Sequence, residues 1–364
     1  MTSPVKVAIV GGGNGAHAMA GHLAMKGHTV RLYSAFPQEI RAMQEAGGVF
    51  VEGAVEGFGR LDAVSADPAA VIPWAEVIMV VVPAFAHRPL AETLAPHLRD
   101  GQVLLLNPGR TGGALEVAAV LKRMEVRADV VVGEAQTLIY ACRISGPARV
   151  RVLGLKRAVP VAALPATQND RLLSRVTPLF PEFCAAQNVL ETSLDNIGAV
   201  FHPATMVLNA NRIEAGDDFD FYQGMTPMVT KTLEAVDAER LAVAQAYGVA
   251  TESAADWLLK AYDGVRGNTL YERIQSNRAY AGIKAPKSLN VRYITEDVPT
   301  GLVPIAAFGK AAGIPMRTCE GIIDLCCTLL GRDFWAEGRN LENLGLAGMD
   351  REAILRYVNE GTLA

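Results

Sequence analysis

Two groups of residues in this 364-residue chain combine types and spacing that could do chemistry. The first is Gly11-x-Gly13-x-x-Ala16, enclosing Asn14 and Gly15, directly after the apolar run Val7–Val10. In such a pattern the first glycine permits a tight turn and the second lets a pyrophosphate approach the backbone. The alanine lets helix and strand pack closely, and the helix N-terminus offers free N–H groups to phosphates. The second group lies in the other half. His202 sits in NIGAVFHPATMVLNANRIE, and Arg292, Glu296 and Asp297 cluster in LNVRYITEDVPTGLVP. An imidazole can give and take protons near neutral pH, and a planar guanidinium can grip a carboxylate. Spacing alone leaves both readings open. A lone histidine on an apolar face can equally be a satisfied core residue, and a charged loop entering an apolar helix can equally be a solvated turn.

The elements that must position the first group follow from periodicity. After Val7–Val10 comes AHAMAGHLAMKG, rich in helix formers, with Gly27 placed to stop it. Further strands are expected at Thr29–Tyr33, Val77–Val82, Val103–Leu106 and Asp129–Val132. Strands alternating with helices at this spacing predict an α/β fold, a doubly wound parallel Rossmann-type sheet. Pro83 and Asn107 then fall at carboxyl ends of strands, where ligands bind in this architecture. Glu134 follows the fifth strand and reads either as a substrate contact or as the partner of Arg143 in a buried pair. Residues 149–165 read as late strands extending the same sheet. From Leu190 onward helical periodicity dominates and no clear strand is seen. This predicts a dinucleotide-binding domain over 1–186 and a mostly α-helical second domain over 187–364, with substrate held in the cleft between them.

Cofactor preference turns on the end of the second strand. An acidic residue there would hold the ribose hydroxyls of NAD. This chain has Ser34, and its first acidic residue is Glu39, beyond Pro37. With Lys26, His28, Arg31 and Arg41 close in sequence, the reading favours NADP(H), with NAD(H) possible.

Composition narrows the partners. The formal net charge is -4 with no dense Lys/Arg run, which argues against nucleic acid. No apolar stretch approaches the ~20 residues of a membrane span. The five cysteines are sparse and lack metal-ligand spacing, so no metal is expected and free thiols in a reducing cytoplasm are. The opening MTSPVKVAIV leaves no room for a signal peptide.

Beyond these readings, the chain resembles the opine dehydrogenases, most closely their bacterial branch, over nearly its whole length. The likeness rests on GGGNGAHA, VVPAFAH, NPGRTGGALE, GEAQTLIYACR, NIGAVFHPATMVLNA, FYQGMTP, RYITEDVPTGLVP and GRNLENLGL. It implies reductive condensation of an amine or amino acid with a 2-oxo acid. His202 would be general acid and base, Asp297 its orienting partner and Arg292 the carboxylate grip. It also puts the stretches carrying Tyr222 and Met206 near substrate, where each residue reads as a substrate contact or equally as core, and implies a homodimer. Ser34 departs from the acidic residue of NAD-using relatives. A 2-hydroxy acid dehydrogenase of the phosphogluconate type, using a second-domain lysine, is the alternative; a dinucleotide-sensing protein without turnover is a remoter one.

Overall fold

The computed structural model describes residues 3–362. Met1 and Thr2 of the opening stretch read as leaderless, and Leu363 and Ala364 of the expected second domain, lie outside them. The chain divides into two compact units, Met1–Thr192 with Arg356–Ala364, and Ser193–Leu355. The C-terminal residues therefore return to the first unit, where the Asn188 side chain donates to that of Asn359 (2.9 Å).

Among the described residues the first unit carries twelve strands: β1 Lys6–Val10, β2 Thr29–Tyr33, β3 Gly48–Gly53, β4 Gly57–Arg60, β5 Ala63–Ser65, β6 Val77–Val80, β7 Val103–Leu106, β8 Val131–Ala135, β9 Tyr140–Gly146, β10 Arg149–Leu155, β11 Val159–Leu164 and β12 Phe183–Ala185. Eight form one sheet in the order β12-β11-β8-β7-β6-β1-β2-β5. The span from β8 to β5 is parallel throughout, whereas β11 joins β8 antiparallel. The strand order reverses at β1, between β2 and β6, which makes its carboxyl end the switch point where ligands bind.

One expectation needs correction. Residues 149–165 do not all extend this sheet. β11 does, but β10 belongs to a separate four-stranded sheet in the order β4-β3-β10-β9. The reason lies in one-sided burial: Val150 and Val152 point inward while Arg149 and Arg151 point out, the pattern of a sheet with one solvated face. Helix α1 (Asn14–Met25) packs between this small sheet and the large one. Its AHAMAGHLAM composition follows from burial on both sides. A Cβ on Gly59 of β4 would stand 2.2 Å from the Gly21 carbonyl oxygen, so only glycine permits that approach. Gly27 ends the helix as expected, with φ +89°.

The second unit is helical. After α2 (Pro37–Ala46), α3 (His87–Leu94), α4 (Gly113–Arg123), α5 (Asn169–Val176) and α6 (Val189–Leu194), the chain forms α7 Ile197–Leu208, α8 Ala210–Glu214, α9 Pro227–Ala246, α10 Ala254–Ala261, α11 Leu270–Ser276, α12 Arg292–Thr295, α13 Val303–Ala311 and α14 Arg317–Leu330. Between α12 and α13 the backbone makes one wider π-type turn, Val298–Leu302. Arg240 of α9 is wholly buried. It pairs with Asp237 (2.7 Å) and donates to the Leu194 carbonyl (2.6 Å), tying α9 to the chain that enters α7. Removing one partner of a buried pair leaves the other charge uncompensated. Arg240→Ala should therefore destabilise this unit by ~3–5 kcal/mol, read as a lower urea midpoint at unchanged m-value; a shift within error would contradict the role given to this pair.

Candidate active site

In the first unit the glycine loop is built as its pattern requires. Gly11 has φ +130°, and a Cβ there would stand 2.4 Å from the Val81 carbonyl oxygen after β6. Gly13 has no atom within 4 Å of such a Cβ, so the space above it is open. Gly15 and Ala16 are buried at the start of α1. The Asn14 side chain is engaged within the protein: its Oδ1 accepts the Ile144 N–H (2.8 Å) and ties the loop to β9. What Asn14 can offer phosphate is its backbone N–H. Asn107, after β7, is 1% exposed; its Nδ2 donates to the Leu105 carbonyl, while its Oδ1 is buried without a hydrogen-bond partner among the described residues. A buried acceptor is costly to leave unmatched. An open cradle over Gly13, a helix N-terminus and this acceptor together fit a dinucleotide. Pro83 follows β6 at the same end of the sheet.

Glu134 is not available to a substrate, which corrects one expectation. It is fully buried, accepts from the Ala114 N–H (2.8 Å) and the Thr192 hydroxyl (2.7 Å), and so holds the start of α4. Gly109 is glycine because Glu134 fills the place of a side chain there. Arg143 is exposed on β9, so the pairing of the two does not occur either.

In the second unit, His202 and Asp297 meet although 95 residues separate them. The imidazole Nδ1 lies 2.7 Å from the Asp297 Oδ2, with side-chain exposures of 17% and 4%. Local sequence explains the approach. Asp297 leads into the π-type turn, and a Cβ on Gly301 in that turn would stand 2.8 Å from the Ala199 methyl of α7. Glycine at 301 lets the turn close onto the helix that carries His202.

The opposite edge of the imidazole, Nε2, is 3.0 Å from the Tyr222 hydroxyl. Tyr222 is placed by a short extended ladder, in which the Phe221 N–H donates to the Ile283 carbonyl and the Ala285 N–H to the Phe219 carbonyl. Burial, with neighbouring tyrosines, pushes the Tyr222 hydroxyl well above the ordinary tyrosine range, so it remains a donor. A tyrosine hydroxyl can donate to Nε2 only if the ring proton is on Nδ1, facing Asp297.

Aromatic rings surround the imidazole. Tyr293 stacks on it (4.2 Å between centroids, 22°), and Tyr280 stacks on Tyr222 (4.0 Å, 15°). Neither Tyr293 nor Tyr280 was singled out by sequence reasoning. Tyr293 could have been, since it follows Arg292 on the same short helix that packs against α7. Arg292 itself is 59% exposed and gives Nε (2.6 Å) and Nη2 (2.5 Å) to Glu296, whose carboxylate is 3% exposed. Met206 is fully buried inside α7 and presents no surface to a ligand, which corrects its expected place near substrate. The free cysteines are Cys142, Cys184, Cys319, Cys326 and Cys327.

An open glycine-loop cradle in one unit and a histidine–carboxylate pair in the other are the parts a nicotinamide-dependent dehydrogenase requires, and that is the class to which they point. Comparison with known proteins carries this further. Residues 6–109 match the family described as NAD-dependent glycerol-3-phosphate dehydrogenase N-terminus. Residues 185–330 match NAD/NADP octopine/nopaline dehydrogenase, alpha-helical domain. The chain is 40% identical over 349 residues to opine dehydrogenase of Arthrobacter sp. (strain 1C), covering 95% of this chain and 97% of that one. It is 28% identical to octopine dehydrogenase of Mizuhopecten yessoensis, covering 92% of each. Among solved structures, octopine dehydrogenase with NADH and L-arginine superimposes with a TM-score of 0.82 at 26% identity, covering 96% of this chain and 98% of that one. The chain belongs to the opine dehydrogenase family. It is an oxidoreductase of the class acting on the CH–NH bond of secondary amines, using a nicotinamide dinucleotide.

The glycine loop supplies a test separable from fold stability. Gly13 has φ -84°, allowed to any residue, and nothing near its missing Cβ. Gly13→Val should lower the melting temperature by no more than ~4 °C, since Gly13 is the N-cap of α1 and valine is the poorer cap by ~1 kcal/mol. It should weaken NADH binding at least ~10-fold by filling the pyrophosphate approach. Unchanged binding by calorimetry would remove Gly13 from the site.

Proposed function

We propose that His202 carries the proton transfers by which this enzyme condenses an amino acid with a 2-oxo acid, Asp297 fixing its tautomer and Arg292 holding a carboxylate. The observation that supports this most is the imidazole set between Asp297 Oδ2 and the Tyr222 hydroxyl. With Nδ1–H donated to Asp297, Nε2 keeps its lone pair on the side lined by Tyr222. There it relays two protons in turn from the ammonium group of the amino acid to the former carbonyl oxygen: the first gives the carbinolamine, and the second lets its hydroxyl leave as water, so that the nitrogen keeps one proton as a protonated imine. Asp297 stabilises the imidazolium formed between those steps. A bound dinucleotide would supply the hydride that reduces the protonated imine to a secondary amine. Tyr222, held as a phenol, yields its place at Nε2 to the substrate. The rings of Phe221, Tyr222, Tyr280 and Tyr293 exclude water, which strengthens charge interactions at the imidazole.

Glu296 gives Arg292 its role. It occupies one edge of the guanidinium and leaves the other for a substrate carboxylate, orienting the C=N for attack. Glu296 is thus a positioning residue, which the i, i+4 spacing to Arg292 would have allowed sequence reasoning to find.

The octopine dehydrogenase structures hold L-arginine, agmatine or pyruvate. For this chain the aromatic surround favours an amino acid with an apolar side chain, with pyruvate or a near relative as oxo acid. Three second-half lysines that a hydroxy acid dehydrogenase could call on are engaged elsewhere: Lys260 with Glu252, Lys284 with Asp218 and Asp220, Lys287 with the Gly216 and Asp217 carbonyls. A cytoplasmic homodimer belongs to the same reading, supported by the free thiols and the family resemblance.

His202→Ala should lower turnover by ~10²–10⁴-fold, the usual worth of general acid–base catalysis, with the NADH dissociation constant unchanged. Turnover near wild type would remove His202 from the mechanism. Glu296→Gln should raise KM for the oxo acid about 10-fold, the worth of roughly 1.4 kcal/mol, with a smaller change in kcat. A loss confined to kcat would contradict the positioning role. Reductive activity is expected only when amine and oxo acid are both present; oxidation of NADH by oxo acid alone would favour the hydroxy acid reading.

A further inference from the structure

The carboxylate expected at the end of β2 is absent from the strand, yet one stands there in space. Glu39, in the first turn of α2, accepts the Ser34 hydroxyl at its Oε2 (2.9 Å). The Ser34 Oγ in turn accepts the Phe36 N–H (3.2 Å), so the serine is engaged on both sides and acts as a mount. Glu39 also lies directly on the glycine loop. A Cβ on Gly12 would stand 2.3 Å from the Glu39 Oε2 and 2.6 Å from its Cβ. The middle glycine of Gly11-Gly12-Gly13 is therefore required by Glu39, not by the turn. The Glu39 Oε1 makes no hydrogen bond among the described residues, and the side chain is exposed at the ligand end of the sheet.

The basic residues that would receive a 2′-phosphate are turned away. Arg31 pairs with Asp62 (2.6 Å), donates to the Ala70 carbonyl and lies over the Trp74 ring. Lys26 donates to the Leu179 carbonyl and lies over Phe180. His28 accepts the Val5 N–H beside the start of β1, the opposite end from the glycine loop. Arg41 stands two residues from Glu39 on α2, a spacing that does not share a helix face.

We propose that Glu39, mounted on Ser34, is the residue that selects NADH over NADPH in this enzyme, reversing the preference that Ser34 alone suggests. Its open oxygen accepts the adenosine ribose hydroxyls, and its charge opposes a 2′-phosphate in the same place. The proposal rests on the dinucleotide site at the carboxyl end of β1.

The test is binding of NADH and of NADPH to the protein without substrate, by calorimetry. Wild type should bind NADH at least ~30-fold more tightly than NADPH, since like charges brought together cost several kcal/mol and tenfold corresponds to ~1.4 kcal/mol. Glu39→Gln should reduce that ratio below ~5-fold, by weakening NADH and relieving NADPH. Ser34→Ala, which removes only the mount, should lower the ratio by a smaller factor; melting temperatures identify any variant that fails to fold. A merely packing role for Glu39 would move the melting temperature and leave the ratio alone. Equal wild-type affinities, or a ratio unchanged in both folded variants, would overturn the proposal. Binding of neither dinucleotide would overturn the site itself, an outcome distinct from loss of discrimination.

Discussion

In the proposed mechanism, the hydrogen bond between the His202 Nδ1 and the Asp297 Oδ2 is the constraint on which the chemistry depends. It determines which nitrogen faces the reaction. An imidazole free to exchange tautomers would offer a lone pair and a proton in turn at the same edge. Anchored at Nδ1, it presents a base at Nε2 and becomes an acid only after accepting a proton. A buried hydrogen bond to a carboxylate contributes ~1.5–3 kcal/mol, enough to set the tautomer by more than tenfold. Much of the second unit's local sequence serves this contact: Gly301 lets the π-type turn close on α7, and Tyr293 holds the ring by stacking.

Several parts of this arrangement are legible in residues alone. The alternation of apolar runs with helix-forming stretches yields the parallel core of the large sheet, because strands buried on both faces read as uninterrupted Val/Ile/Leu runs. Gly11, Gly13 and Gly27 behave as their backbone demands. The small sheet is not legible in this way. β3, β4, β9 and β10 are short and one-sided, and their membership depends on docking over α1, a tertiary fact. The fifth expected strand is also displaced, to Val131–Ala135, because Gly133-Glu134 continues it instead of ending it.

Among site residues the pattern is similar. His202, Asp297 and Arg292 stand out by type, and family resemblance supplies their roles, but no spacing rule brings residue 202 to residue 297. Met206 and Glu134 mislead for a common reason. Each is adjacent in sequence to functional elements while its side chain turns into the interior, and burial of an individual side chain is decided by packing. Glu39 misleads in the opposite sense. Six residues beyond the strand end, it looks too distant, yet the turn through Phe36 and Pro37 folds it back onto Ser34.

The helix α1 shows how scaffold and site are coupled in the first unit. Its N-terminus stands beside the open space over Gly13, where phosphate would bind, and its body is held between two sheets by small residues such as Gly21. A helix so enclosed presents its N-terminal N–H groups in one orientation, which is the preorganisation an anion site needs. The central claim concerns the other unit, and one measurement addresses it directly: long-range ¹H–¹⁵N correlation of the His202 ring at neutral pH, assigned with His202→Gln. The account predicts the neutral ring protonated at Nδ1 with Nε2 bearing the lone pair, and loss of that bias in Asp297→Asn. A ring protonated at Nε2, or a tautomer indifferent to Asp297, would contradict it.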